Sequence, residues 1–307
     1  GKALEDLGVL LRDEGRLAEA EDALRSAMAQ YEQVLQCLDG VDERMAVSAQ
    51  QLHESAGLRL VGVLMQRQGC EREAMAVATD VKARSLSRRM GVGAGGGWEQ
   101  IAKVTRDLGG ATVVEYLVLM QGELVVWVVG SDGNLACCKR IGVLQSMGND
   151  GEDFSDVLAR LAPLSRKRLT PTPSEVLTDL ISFACSSIEG SPLASDGSDL
   201  HHAAVMPVLR RLLLDPIADY MKESQELIIV PHGGLVRVPW SYLLSSAGIS
   251  TPPRGIRLVP SIAILSALPE SASTTAPGVA VGNPKPVSGQ LSPRVSELAG
   301  AEDEARR

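Results

Sequence analysis

Aromatic residues are scarce in this sequence: two Phe, three Trp and four Tyr occur among 307 residues. The length leaves room for two domains, whose cores must be built mainly from aliphatic side chains. Such a composition suits packed helices and buried parallel strands. No run approaches the roughly 18 apolar residues that cross a bilayer, and no signal peptide is visible. We therefore expect no membrane association.

Long basic runs and metal-ligand motifs are also missing. The formal net charge is −8, from 30 Lys and Arg against 38 Asp and Glu. Because nucleic acids are bound through clustered positive charge, this balance argues against a nucleic-acid partner. The five cysteines and four histidines show neither a CxxC motif nor a disulfide pattern. The sequence therefore predicts no metal or other cofactor and a reducing, cytoplasmic location.

Small and apolar residues recur at helical spacing near the start of the chain, and Gly15 separates two such runs. Gly8 and Ala20 give the two predicted helices small faces on which they can approach closely. The first set is Leu4, Leu7, Leu11, Leu17, Ala20, Leu24 and Ala27. A second set follows 54 residues later, at Leu58, Gly62, Met65, Gly69, Ala74 and Ala78. Two similar helical units are therefore predicted within residues 1–90.

This alternation of large and small residues resembles the tetratricopeptide repeat (TPR), with leucines in place of the usual aromatics. The usual period is about 34 residues, so the intervening helices are expected to be longer than standard. The turn residues Asp39, Gly40 and Asp42 mark where the extra length enters. The resemblance implies that residues 1–90 bind a protein partner on a concave surface. An ordinary helical bundle is the alternative.

A glycine-rich linker, residues 91–97, is predicted to precede three strands at residues 111–119, 124–129 and 135–141. Turn residues between the strands indicate an antiparallel meander. We expect Tyr116 and Trp127 to supply the bulk on one face of the sheet. Of Cys137 and Cys138, one thiol is expected to face inward and be inert. Helices are predicted at 154–161, 174–187 and 202–222, the last kinked or restarted by Pro207 and Pro216.

Four elements then follow one another in the second half of the chain. An apolar strand, 227–230, runs into P-x-G-x-L-x-x-x-P-W, then come V-P-S at 259–261, V-G-N-P at 281–284 and A-E-x-E-A at 301–305. Apolar runs bounded by Pro and Gly indicate buried parallel strands. A helix is predicted at 262–268 and another strand at 278–284. The order of these elements resembles the CHAT domain, a family with a caspase-like α/β fold that often follows TPRs.

The resemblance to the CHAT family extends to the early strand at residues 111–116 and implies a CHAT domain over residues 98–307. In this family the catalytic histidine and the nucleophilic cysteine both follow the A-E-x-E-A helix. We therefore expect this chain to be a fragment that ends before both, with no catalytic residue of its own. The His232-Gly233 pair imitates the catalytic His-Gly motif, but it lies in the P-x-G element. We interpret His232 as a turn residue.

Other catalytic pairs are disfavoured by their surroundings. Cys185 could pair with His201 or His202, but it lies on an apolar helix face without a nearby positive charge to lower its pKa. Ser241 and Ser261 lack the GxSxG elbow. The parent protein is expected to be a cysteine endopeptidase of the caspase and separase type, or else a non-catalytic interaction scaffold. A processed product ending at residues 306–307 is a third alternative.

Overall fold

The computed structural model describes residues 1–38, 43–90, 97–119, 122–143, 173–188, 198–221, 226–246 and 255–267. All of them belong to one unit, Gly1–Ala267. The predicted helix at 154–161, strand at 278–284 and helix at 301–305 lie outside these residues, as do linker residues 91–96. Within the part that is described, no helix is both long and apolar enough to cross a membrane.

Four helices open the chain, and each packs against the next along the sequence. Their bounds are α1 (Lys2–Asp13), α2 (Leu17–Cys37), α3 (Glu43–Leu64) and α4 (Glu71–Met90). Gly15 and Gly69 follow the first and third helices with φ of 78° and 82°, a left-handed conformation that glycine adopts without steric cost. The predicted extra length is present, because α2 and α3 contain 21 and 22 residues.

The close approach predicted at Gly8 is confirmed, whereas its counterpart in the second unit lies elsewhere. A methyl group at Gly8 would lie 2.6 Å from Leu24 Cγ and 3.3 Å from the Ala20 carbonyl oxygen. Gly62, which occupies the equivalent place in the sequence pattern, has open space around it. Gly57 instead packs against Val81. The second pair of helices therefore meets five residues earlier than the simple repeat of the pattern predicted.

A five-stranded mixed sheet follows the helix α5 (Trp98–Asp107). Its strands are β1 (Ala111–Val118), β2 (Glu123–Val129), β3 (Leu135–Gly142), β4 (Glu226–Val230) and β5 (Gly255–Leu258). The spatial order is β3-β2-β1-β4-β5. The first three strands form the predicted antiparallel meander, while β4 is parallel to both β1 and β5.

The remaining described helices are α6 (Pro173–Ile188), α7 (Ser198–Leu213), α8 (Ala218–Met221), α9 (Trp240–Ser246) and α10 (Ile262–Ala267). Pro216 lies in a 3₁₀ turn, Asp215–Ile217, that separates α7 from α8. The predicted restart at Pro216 is therefore confirmed. Pro207 lies inside α7, so the helix does not restart at this residue.

Helices cover both faces of the sheet. On the first face, α6 and α7 bury one set of alternating strand residues, which includes Val114, Val126 and Ile229. On the second face, α4, α5 and α10 bury the other set, and the apolar cluster continues through α4 into α1–α3. Each fully buried aliphatic side chain contributes roughly 1.5–3 kcal/mol. Because one apolar cluster contains residues of α1–α4 and of the strands, the N-terminal helices share a core with the sheet.

Tyr116 and Trp127 lie on opposite faces of the sheet, so the prediction that they share a face is wrong. Trp127 pairs with Glu115, and Tyr116 pairs with Val126. Because neighbouring residues of a strand point to opposite faces, this register separates the two aromatic rings. On the first face the rings of Tyr116 and Trp240 pack with their centroids 5.2 Å apart and their planes tilted by 35°, and on the second Trp127 Nε1 donates to the Glu71 carbonyl.

Candidate functional site

The carboxyl ends of β1, β4 and β5 meet at one edge of the sheet. From β1 the chain proceeds to β2 and β3 on one side, whereas β4 and β5 lie on the other side of β1. The boundary between β1 and β4 is therefore a point where the strand order reverses. In open α/β sheets, ligands bind in the crevice outside the carboxyl ends of the strands at such a point.

His232 lies in this crevice, two residues after the end of β4. The Val118 backbone N–H, at the end of β1, donates to His232 Nδ1 at 3.3 Å. The imidazole therefore joins the ends of two parallel strands. Gly233 follows with φ of 54°, which turns the chain into the short 3₁₀ segment Gly233–Arg237. The outer nitrogen, Nε2, lies 3.8 Å from Oε1 of Glu54 on α3.

A buried polar cluster lies beside His232, between α4 and the sheet. The Lys82 ammonium lies 3.1 Å from Glu115 Oε1, and these side chains are 5% and 0% exposed. The pair is ionic, but its geometry falls short of a hydrogen bond, so Oε1 has no hydrogen-bond donor. Thr79 donates to the other oxygen of Glu115 at 2.8 Å.

Lys82 also joins the two strands at the place where they separate. Its ammonium donates to the carbonyl oxygens of Tyr116 at 2.6 Å and Val230 at 3.4 Å. The last paired residues of β1 and β4 are Glu115 and Val230, so Lys82 lies at the last pair of this ladder. Burial lowers the pKa of Lys82, while the charge of Glu115 opposes that shift.

Two cavities lie on either side of His232, and both touch α3. The smaller, of about 240 Å³, is lined mainly by apolar side chains: Leu58, Val118, Leu119, Leu177, Ile181 and Leu235. The larger, of about 380 Å³, is lined by Glu54, Val81, Lys82, His232, Val236, Leu258, Val259 and their neighbours. Ligand pockets commonly measure roughly 300–1,000 Å³, so the two cavities together have room for a ligand.

The alternative nucleophiles are placed as follows. Ser261 is buried, its hydroxyl donates to the Thr79 carbonyl at 3.2 Å, and Ser241 is exposed on α9. Cys137 is buried, and burial raises the pKa of Cys138 to about 12, which keeps that thiol protonated and unreactive. The side chains of Cys185, His201 and His202 lie outside the described part of the structure.

No site residue had been predicted, and the Lys82–Glu115 pair was missed. One signal was present in the sequence, because Glu115 interrupts an otherwise uncharged strand, ATVVEYLV. Lys82 falls on the same helical face as Met75, Ala78 and Thr79, which are buried. Among the described residues, no group of three or more His, Cys, Asp or Glu side chains could hold a metal ion.

Comparison with known proteins identifies a domain in the C-terminal third of the chain. Neither the curated proteins nor the solved structures include a significant match to this sequence. One region of the chain, residues 203–307, does match a known family. It begins within α7 and includes β4, β5, His232 and α10, whereas the meander, α3 and α4 precede it. Residues 203–307 match the family model of the CHAT domain, which supports the resemblance found in the sequence.

Proposed function

We propose that this chain joins a TPR-like interaction module, formed by α1–α4, to part of a caspase-like CHAT domain that has no His–Cys dyad of its own. One observation carries the proposal. The region that matches the CHAT family, residues 203–307, contains one histidine, His232, and no cysteine. Cysteine peptidases need a thiolate nucleophile and a base that takes its proton. The chain by itself should therefore not hydrolyse peptides.

The surroundings of His232 support the same conclusion. Its Nδ1 accepts a hydrogen bond from the Val118 N–H, so that nitrogen is not free to take a proton from a thiol. The last cysteine of the sequence, Cys185, precedes His232, whereas caspase-type dyads place the histidine first. These features also favour our second candidate, a scaffold whose CHAT region is not catalytic.

The interaction role of the helices is supported by their surface. Leu7 and Leu10 on α1 are 45% and 62% exposed, and Val34 on α2 is 45% exposed. A contiguous patch of exposed apolar side chains marks a surface that binds other proteins, and Leu7 and Leu10 lie one helical turn apart on α1. TPR-like helices bind partners through such extended surfaces. We therefore expect a protein partner on α1 and α2.

The experiment is to incubate the purified chain with a proteome-derived peptide library and to count new peptide termini by mass spectrometry. We expect none above the level seen with heat-denatured protein. Cleavage that disappears in Cys185→Ser or His232→Ala would overturn the proposal that the chain lacks a dyad. In parallel, a partner captured by the wild-type chain should be lost from a Leu7→Ser, Leu10→Ser variant. Retention of every captured partner by that variant would contradict binding through α1.

A further inference from the structure

The crevice around His232 is built from two parts of the chain that are far apart in sequence. Glu54 and Leu58 come from α3, which precedes the CHAT match, and Val81 and Lys82 come from α4. His232, Val236 and Leu258 come from the matched region. The crevice is thus complete only when the helical region lies against the sheet, and its properties follow from both parts.

His232 offers a hydrogen-bond donor to the crevice. Because Nδ1 accepts from the Val118 N–H, the proton of the neutral ring must be on Nε2. The 3.8 Å between Nε2 and Glu54 Oε1 is too long for a hydrogen bond. Neither group is hydrogen-bonded to the other, so a ligand lying across both can contact them at once. Nε2 can donate to a carbonyl oxygen, and Glu54 can accept from a cationic donor.

The charge of the crevice is negative where it is exposed. Among the described residues that line the two cavities, Glu54 and Lys82 are the charged ones. Glu54 is 45% exposed, whereas the Lys82 ammonium is buried against Glu115. The positive charge is thus neutralised inside the protein, and a ligand meets the carboxylate. Charge complementarity favours a ligand with a basic group at this position.

The apolar part of the crevice favours a large aliphatic side chain. The smaller cavity is lined by Leu58, Leu119, Leu177, Ile181 and Leu235, together with Gly233 and Gly234. Nothing lies within 4 Å of a methyl group built on Gly233, so another backbone can approach this glycine. Beyond His232, Val236 and Leu258 are 60% and 46% exposed and extend the apolar surface into the larger cavity.

We propose that this crevice binds an extended peptide segment of another protein. A leucine-sized side chain occupies the smaller cavity, a peptide carbonyl accepts from His232 Nε2–H, and a lysine or arginine pairs with Glu54. Extended peptides combine main-chain hydrogen bonds with pockets for individual side chains, which is the combination found here. The site is distinct from the surface of α1 and α2 proposed above, and its existence does not depend on whether that surface binds a partner.

The test uses the full chain and fluorescein-labelled octapeptides with blocked termini. One Leu and one Arg stand one, two or three residues apart on a Gly-Ser background, and a matched set carries Glu in place of Arg. Fluorescence anisotropy should show saturable binding for at least one spacing of the Arg set. We expect the corresponding Glu peptide to bind about tenfold more weakly or not at all.

Two variants test whether the peptide binds in the crevice. Glu54→Gln keeps the shape of the side chain and removes its charge, and it should weaken binding of the Arg peptide about tenfold. A methyl group on Gly234 would lie at ordinary van der Waals distances, 3.8 Å from Ile181 Cδ1 and 3.9 Å from Thr178 Oγ1. Gly234→Val adds two more methyl groups at the lining of the smaller cavity and should abolish binding. Thermal unfolding of both variants verifies that they remain folded.

The matched control is Glu19→Gln, which neutralises a carboxylate of similar exposure, 57%, far from the crevice in sequence and paired with Arg16. Its affinity for the Arg peptide should equal that of the wild type. The absence of saturable binding by every Arg peptide would overturn the proposal. So would equal binding of the Arg and Glu sets, or an affinity that neither Glu54→Gln nor Gly234→Val changes.

Discussion

The two faces of the sheet are covered by helices in different ways. The first face meets α6 and α7 through an aliphatic and aromatic cluster in which Leu177, Leu180 and Leu209 are buried. The second face meets α4, α5 and α10 through a similar apolar cluster, but α4 adds the buried polar group of Thr79, Lys82 and Glu115. The first face has a buried hydrogen bond of its own, from the Tyr116 hydroxyl to the Leu213 carbonyl at 2.6 Å, but among the described residues only the second interface contains a buried ion pair.

This difference teaches how the helical region is positioned on the sheet. Apolar contacts stabilise a helix on a sheet in many relative orientations, because the hydrophobic effect is not directional. The Lys82 ammonium, by contrast, reaches Glu115 and the carbonyl oxygens of Tyr116 and Val230 from one position only. A displacement of α4 would leave buried charges without partners, which costs several kcal/mol. The polar group therefore fixes α4, and with it the position of Glu54 and Leu58 in the crevice.

The largest expected effect comes from removing one member of the buried pair. Lys82→Met leaves the Glu115 carboxylate buried without its counter-ion and should lower the free energy of unfolding by about 3–5 kcal/mol. The double variant Lys82→Met, Glu115→Leu removes both charges and should recover most of that loss. Urea unfolding measures both. A single variant as stable as the double variant would contradict the role of the pair.

A somewhat smaller effect is expected on the first face. Leu180→Ala leaves a cavity beneath α6 and should lower the free energy of unfolding by about 3 kcal/mol. A second substitution on the other face, such as Glu115→Leu, should not restore the lost stability, because Leu180→Ala leaves no buried charge without its counter-ion. The same urea experiment applies. Restoration by Glu115→Leu would show that the two faces are coupled, contrary to the comparison drawn above.

The smallest expected effect is a loss of stability of α1 at acid pH. Glu5 on α1 is fully buried and accepts from Ser55 and Arg59 at 2.8 Å and from Tyr31 at 3.2 Å. Burial raises the pKa of Glu5, but the hydrogen bonds from Ser55 and Lys2 and the charge of Arg59 outweigh it, so the pKa lies below its ordinary 4.5.

Because the folded-state pKa of Glu5 is depressed, its stabilising contribution is complete above pH 4.5 and is lost as the pH falls through the folded value. Hydrogen exchange, corrected for intrinsic rates, should show α1 losing protection as the pH falls below about 4.5, before α6 does. In Glu5→Gln, protection of α1 should already be lower near neutral pH and the acid-dependent step should be missing. Equal acid sensitivity of α1 and α6 would contradict this expectation.

Much of the secondary structure could be predicted because its signals are local. The three meander strands, the turn at Gly15, the strand before His232 and the restart at Pro216 all depend on alternation, glycine or proline within a few residues. The positions of Tyr116 and Trp127 could not be obtained in this way. They depend on the register between β1 and β2, which a shift of one residue reverses.

The sequence by itself determined the meander strands, the turn at Gly15, the strand before His232 and their order, because these follow from local pattern, and residues 203–307 match the CHAT family model. Tertiary structure alone decided that α4 lies on the sheet and that Lys82 meets Glu115. It alone also brought Glu54 within 3.8 Å of His232. These pairs join residues separated by 33 and 178 positions in the sequence. Contacts at such separations depend on the packing of whole layers, which no local pattern encodes.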